Sequence, residues 1–214
     1  MKRYLLMWLV ILTLANTCLA LSVSDNFTRA NASPISGGNW SVPSSATGLQ
    51  IVSNNLGVIG VNQVNMEYYS AVTWPNDQSS QVTFVSGSGT TAAGPTVRQQ
   101  AAGANNYNGV EQTGAGNYVI EKMASGSNTI LLTISQSPVN GDVIKLTVTG
   151  TTLQLLINGI CVSTCTVTDS TYSSGNAGIF MYGPGSSNPK VGTWVGTASS
   201  GGSGGQVGGF LVGP

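Results

Sequence analysis

From Ile144 to Ile157 apolar side chains fall on alternate positions: Ile144, Leu146 and Val148, then Leu153, Leu155 and Ile157. Lys145, Thr147 and Thr149 occupy the positions between and after the first three. Side chains of an extended chain point alternately to two faces, so a period of two demands strands with one buried side. Gly150-Thr151 divides the run into two arms, and Asn158-Gly159 ends it. Asn-Gly between apolar runs is the strongest short hairpin signal, because both residues accept the positive φ of a type I′ turn. A third strand over 160–167 and a fourth over 177–182 follow, the last after a loop of Asp, Ser, Thr and Gly. The stretch from Asn140 to Tyr182 therefore predicts an antiparallel meander with one buried face.

Similar short segments precede it. An opening edge strand over 24–29 is anchored by Phe27, and Trp40 stands in a turn-rich passage after it. Further strands are predicted over 48–54, 56–61, 67–74, 80–85, 95–100, 107–112, 117–123 and 128–134, separated by Gly, Asn or Pro turns. No segment carries helical periodicity, and no unit of roughly 20–50 residues repeats, which disfavours solenoids and propellers. The expected fold is all-β, a two-sheet antiparallel jelly-roll sandwich of roughly 12–14 strands.

The two ends differ from this pattern. Lys2-Arg3, an apolar run from Tyr4 to Leu14 and Cys18-Leu19-Ala20 have the layout of an export signal cleaved near Ala20. The apolar run is shorter than the roughly 17–25 residues of a membrane span, and no other stretch approaches that length. The expectation is a signal peptide over 1–20, a domain over 21–197 and a Gly/Ser-rich tail over 198–214, with the product secreted. Without the leader five basic side chains face seven acidic ones, so the basic footprint that nucleic acid needs is missing. Charged residues make up only 7% of the chain and histidine is absent, which rules out Ser-His-Asp catalysis.

Cys161 and Cys165 remain in what is then an oxidising compartment. Two cysteines without histidine or further cysteines are too few for a zinc site, so a local disulfide or two unpaired thiols are the readings left. Residues four apart on an uninterrupted strand are about 13 Å apart, so a bond requires a tight turn or bulge at 162–164.

The runs SDNFTRANASP, GGNWS, GLQIVSN, NGDVIKLTVTGTTLQLLINGICV and TDSTYSSGNAGIFMYG resemble the laminin-G-like jelly rolls of the concanavalin A-like lectin/glucanase superfamily. Secreted bacterial and phage-associated members are the most similar, over roughly Ser24 to Trp194. The resemblance implies two antiparallel sheets of six or seven strands, the outer face of one forming a concave groove. It also implies calcium at the rim. Here no ligands can be assigned, because Val191-Gly192-Thr193-Trp194 stands where many relatives carry an acidic pair near the last strand.

Glycoside hydrolysis needs two carboxylates about 5–5.5 Å or 6.5–9.5 Å apart. No two acids here share a strand face at a spacing of two or four, and the glucanase E-x-D-x-x-E run is missing. Glu111 and Glu121, on adjacent strands, are the nearest to a pair. With Val110 and Val119 taken as core, they point to opposite sides. This argues against an enzyme and against a catalytic assignment. On the same parity Arg98, Gln100, Tyr107 and Glu111 face outward as a polar, aromatic-bearing surface suited to sugars. The competing expectation is that Arg98 pairs with Glu111 or Asp77 and the tyrosines only cover a sheet. The functional expectation is a secreted, non-catalytic carbohydrate-binding or adhesion module for a polysaccharide or cell-surface glycan. The alternative is a self-assembling subunit of an extracellular or virion-associated structure, its few charges leaving edge strands free to pair.

Overall fold

The computed structural model describes residues 21–35, 38–184 and 189–198, so the leader and all but the first residue of the predicted tail lie outside it. The strands in chain order begin with β1 (Ser22–Asp25), β2 (Trp40–Ser41), β3 (Leu49–Val52), β4 (Asn55–Val58) and β5 (Asn65–Tyr69). Next come β6 (Gln78–Ser86), β7 (Ala92–Gln99), β8 (Asn106–Gln112), β9 (Asn117–Ala124) and β10 (Ser127–Ile134). The chain continues with β11 (Val143–Thr149), β12 (Thr152–Ile157), β13 (Thr166–Thr168), β14 (Asn176–Tyr182) and β15 (Lys190–Ala198). They form two antiparallel sheets, the first ordered β13-β12-β11-β6-β15-β4-β3 with β1 also paired to β15. The second is ordered β10-β9-β8-β7-β14-β5-β2. The predicted jelly-roll sandwich is therefore the fold, with fifteen strands among the described residues. Among those residues no helix is long and apolar enough to cross a membrane.

The β11–β12 hairpin matches its sequence pattern, with Ile144 opposite Ile157, Leu146 opposite Leu155 and Val148 opposite Leu153. Asn158 and Gly159 adopt the positive φ that the turn requires, 52° and 78°. The meander is shorter than expected. β13 is reduced to Thr166–Thr168 because the chain from Cys161 to Cys165 turns back on itself. Ser163 takes a φ of 54° inside that turn, and the two cysteines join in a disulfide with Cα atoms 5.4 Å apart. So short a loop confers about 2 kcal/mol by chain entropy.

The fourth predicted strand does not belong to the meander. β14 crosses to the second sheet and lies between β7 and β5. Its sequence shows why: Ala177, Ile179 and Met181 enter the core between the sheets, whereas Phe180 joins a second apolar cluster on the other face. A strand apolar on both sides needs cover on both sides, which an edge position does not provide.

Between the sheets an aromatic group closes one side of the core. Trp194 sits 4.8 Å from Trp40 and 5.3 Å from Tyr69, centroid to centroid. Its indole N–H donates to Ser80 Oγ at 2.8 Å, and Ser80 donates in turn to the Gly178 carbonyl. The opening strand stops at Asp25 rather than continuing to Arg29. The Asp25 carboxylate accepts bonds from the Phe27 N–H, the Arg29 guanidinium and the Trp40 indole, and this turns the chain and drops Phe27 into the core. Burial pushes the Asp25 carboxyl upward, but these bonds outweigh it and hold its pKa below the ordinary value.

A candidate ligand groove on the outer face of the second sheet

Strand parity decides which residues of the second sheet can meet a ligand. A side chain added at Gly109 would meet Leu155 and Leu146 of the first sheet, so odd-numbered positions of β8 face inward. Tyr107 and Glu111 therefore point into the sandwich, and Asn106, Asn108, Val110 and Gln112 point outward. On β9, Tyr118 and Ile120 lie in the main core, while Val119 and Met123 join Val110, Met66 and Phe180 in the outer apolar cluster. The inference that Glu111 and Glu121 face opposite ways is correct, but the sides are exchanged. Val110 and Val119 are buried on the outer face, not in the main core.

This parity moves three of the four sequence-predicted ligand residues off the outer surface. Arg98 is buried, with a φ of 52° that swings it towards the end of the sandwich. There its guanidinium donates to the carbonyls of Asn76 (3.1 Å), Tyr172 (2.8 Å) and Gly150 (2.7 Å). Asp77 lies 3.8 Å away, the partner that the competing expectation named. Tyr107 is also buried; its hydroxyl donates to Asp169 and accepts the Tyr172 N–H. Burial and the Asp169 bond push Tyr107 up to about 12. Glu111 accepts from the Thr113 and Thr91 hydroxyls, and burial pushes its carboxyl up to about 7. Gln100 is partly buried and donates to the Arg98 and Ser174 carbonyls, tying one loop to another. The four do not share one surface.

The outer face carries a different constellation. Cross-strand registers place Glu121 beside Asn108, Asn108 beside Thr96, Thr96 beside Gly178 and Gly178 beside Tyr68, a row crossing five strands. Asn106 donates to Asn108, and Asn108 donates to Glu121 Oε1 at 2.9 Å. Asn128 of β10 donates to Glu121 Oε2, also at 2.9 Å. Thr96 donates to Gln99, whose carbonyl oxygen lies where a side chain on Gly178 would stand. The next row, including Val119, Val110 and Phe180, is apolar, and Tyr182 lies beyond it. Among the described residues, three buried side-chain atoms lack a hydrogen-bond partner: Gln99 Nε2, Asn106 Oδ1 and Asn117 Oδ1. All three belong to outward positions of this sheet. Buried polar atoms are nearly always satisfied, so their concentration on one face calls for an explanation.

A groove of about 510 Å³ runs along this face, with Glu121 and Asn128 on one side and Phe180 and Tyr182 on the other. Its size is within the range typical of small-molecule sites. Sequence reasoning anticipated a polar groove on one sheet but missed the outward polar residues of β8, of which Gln112 lines the groove. Asn106, Asn108 and Gln112 alternate as strictly as any strand here, and an inward Tyr107 would have revealed them. No group of three metal-ligating side chains occurs among the described residues.

No family model and no curated protein matches the chain. Solved structures do, and they share its two-sheet antiparallel jelly-roll sandwich. The carbohydrate binding module CBM66 from Bacillus subtilis superposes with a TM-score of 0.57 at 14% identity, over 72% of this chain and 91% of its own. The Bacillus licheniformis beta-glucanase gives a TM-score of 0.50 at 9% identity, over 83% and 97%. The exoplasmic/lumenal domain of VIP36 in its Ca2+/Man-bound form gives 0.50 at 9% identity, over 75% and 83%. At such identities the likeness establishes the fold and nothing finer.

Proposed function

We propose that this chain is a secreted, non-catalytic carbohydrate-binding module of laminin-G-like type that holds a polysaccharide or cell-surface glycan in the groove of the second sheet. The observation that carries the reading is the groove lining itself, in which Glu121, Asn128 and Gln112 supply polar groups and Phe180 and Tyr182 supply aromatic ones. Sugars present hydroxyls at their edges and C–H groups on their faces, so they match the polar groups with one and the aromatic groups with the other. The similar folds of the carbohydrate binding module CBM66 and of VIP36 in its Ca2+/Man-bound form support it. The groove lining holds one carboxylate, Glu121, where hydrolysis between two flanking carboxylates would need a second.

The test is retention of the chain on a glycan array, with and without calcium, using a Tyr182→Ala variant for comparison. Retention of the parent chain and at least tenfold weaker retention of the variant are expected. An array that retains neither, in either buffer, sinks the reading.

A second reading, a subunit of an extracellular or virion-associated assembly, has one specific observation in its favour. Edge strand β10 carries no charged residue, and Ile130 on it is 51% exposed. Uncharged edges with exposed apolar side chains invite strand pairing between molecules. On this reading the sedimentation coefficient rises with protein concentration, and Ile130→Lys suppresses the rise; a strict monomer at high concentration removes it.

A further inference from the structure

The charge balance around the groove narrows what can occupy it. Glu121 is 2% exposed, and its two oxygens accept one neutral amide bond each. A carboxylate offers about four acceptor sites, so roughly half of its capacity is open. Buried charges are ordinarily met by an opposite charge, since leaving one unmatched is costly.

Among the described residues the chain has no cation to supply to the groove. After the predicted leader its basic residues are Arg29, Arg98, Lys122, Lys145 and Lys190. Arg29 is paired with Asp25, Arg98 lies against Asp77, and Lys122 bonds Asp169. Lys145 and Lys190 belong to β11 and β15 of the first sheet. Glu67 and Glu111 also lack a basic partner among these ion pairs, but both are turned away from the groove: Glu67 bonds backbone N–H groups of Ile35 and Leu49, and Glu111 points into the sandwich. Glu121 alone brings charge to the groove lining, and no basic residue lines it.

We infer that the groove selects sugars bearing a free amine, with the ammonium group meeting Glu121 and the ring faces resting towards Phe180 and Tyr182. This rests on the carbohydrate-binding reading and specifies its ligand class. From β9 to β14 is three strand spacings, about 14 Å, which accommodates linked rings rather than one. Uronic and sulfated sugars are excluded, because the only charge they would meet is of their own sign.

The experiment is calorimetric titration of the full chain at low salt and pH 6 with three tetramers: glucosamine, N-acetylglucosamine and galacturonic acid. The amine-bearing tetramer should bind about tenfold tighter than the N-acetylated one, about 1.4 kcal/mol, and the uronic tetramer should not bind. Glu121→Gln removes the charge at nearly unchanged shape, keeping the Asn108 bond while the exposed Asn128 amide turns to accept from the new NH2, so it should bring the first two affinities to parity. Equal or tighter binding of the neutral tetramer by the parent chain overturns the inference but leaves carbohydrate binding standing. A preference for the amine that survives in Glu121→Gln overturns it as well, by removing Glu121 from its cause. If no sugar binds, the reading beneath it falls too.

Discussion

Arg98→Ala should lower folding stability by about 3–5 kcal/mol, among the largest effects of any single substitution in this chain. The guanidinium ties three other segments to β7 at one end of the sandwich. It bonds the carbonyls of Asn76, Gly150 and Tyr172, and it stands beside Asp77, which itself accepts the Gly150 N–H. Truncation leaves three carbonyls without their donors, and hydrogen bonds to charged groups contribute roughly 1.5–3 kcal/mol each. Arg98→Lys should recover less than half of the loss, because one ammonium cannot span three diverging acceptors. Urea unfolding measures both, as a fall in midpoint at unchanged slope. Glycan retention per folded molecule should not change. Full stability together with lost retention would return Arg98 to a ligand-binding role and contradict the geometry.

Stability should rise as pH falls from 8 to about 5, the reverse of what a carboxylate-rich surface produces. Two interior acids are responsible. Burial raises Glu67 from 4.5 to about 7, against the downward pull of the Leu49 and Ile35 N–H groups and of Arg29. Burial raises Glu111 from 4.5 to about 7 against its threonine partners. Between pH 4.5 and 7 the folded chain therefore binds more protons than the unfolded chain, and unfolding free energy falls as pH rises through that window. The two shifts together amount to several kcal/mol, on the order of 5. Asp25, Asp142 and Asp169 act oppositely. Burial pushes each of them up, but hydrogen bonds outweigh it and leave their pKa values lowered, so they withdraw stability as pH drops below about 4. A maximum near pH 5 follows. Glu67→Gln should reduce the slope between pH 5 and 7 by about half; a flat or rising profile from pH 5 to 8 would exclude both assignments.

Strand periodicity made most of the sandwich legible, because β11 and β12 alternate cleanly and the Asn158-Gly159 turn states its own φ. What it could not supply was the side to which each face belongs. Val110 and Val119 look like core residues and are buried, but the sandwich has a second apolar cluster on its outer face, and choosing between the two clusters inverts every neighbouring residue. Arg98 escaped for another reason: the positive φ at a non-glycine residue interrupts the alternation of β7, and nothing in TVRQQ announces it. Chain order suggests that β14 adjoins the meander. Its place in the second sheet depends on cover from both faces, a property of the assembled molecule. The fold could therefore be read from the sequence while the candidate site could not.

The pairing of β6 with β15 sets the order in which this protein can assemble. Ser79 and Thr197 share a 2.6 Å hydroxyl contact across a separation of 118 residues, in the middle of the first sheet. Closing a loop of that length costs entropy before any of the central ladder forms, so the chain belongs with the slow, high-contact-order folders. The β11–β12 hairpin can form from its own local contacts long before then. It must then wait, with Leu146 and Leu155 uncovered, until the second sheet packs over them. Over that interval the low charge that serves the finished surface leaves the nascent chain with few defences against self-association.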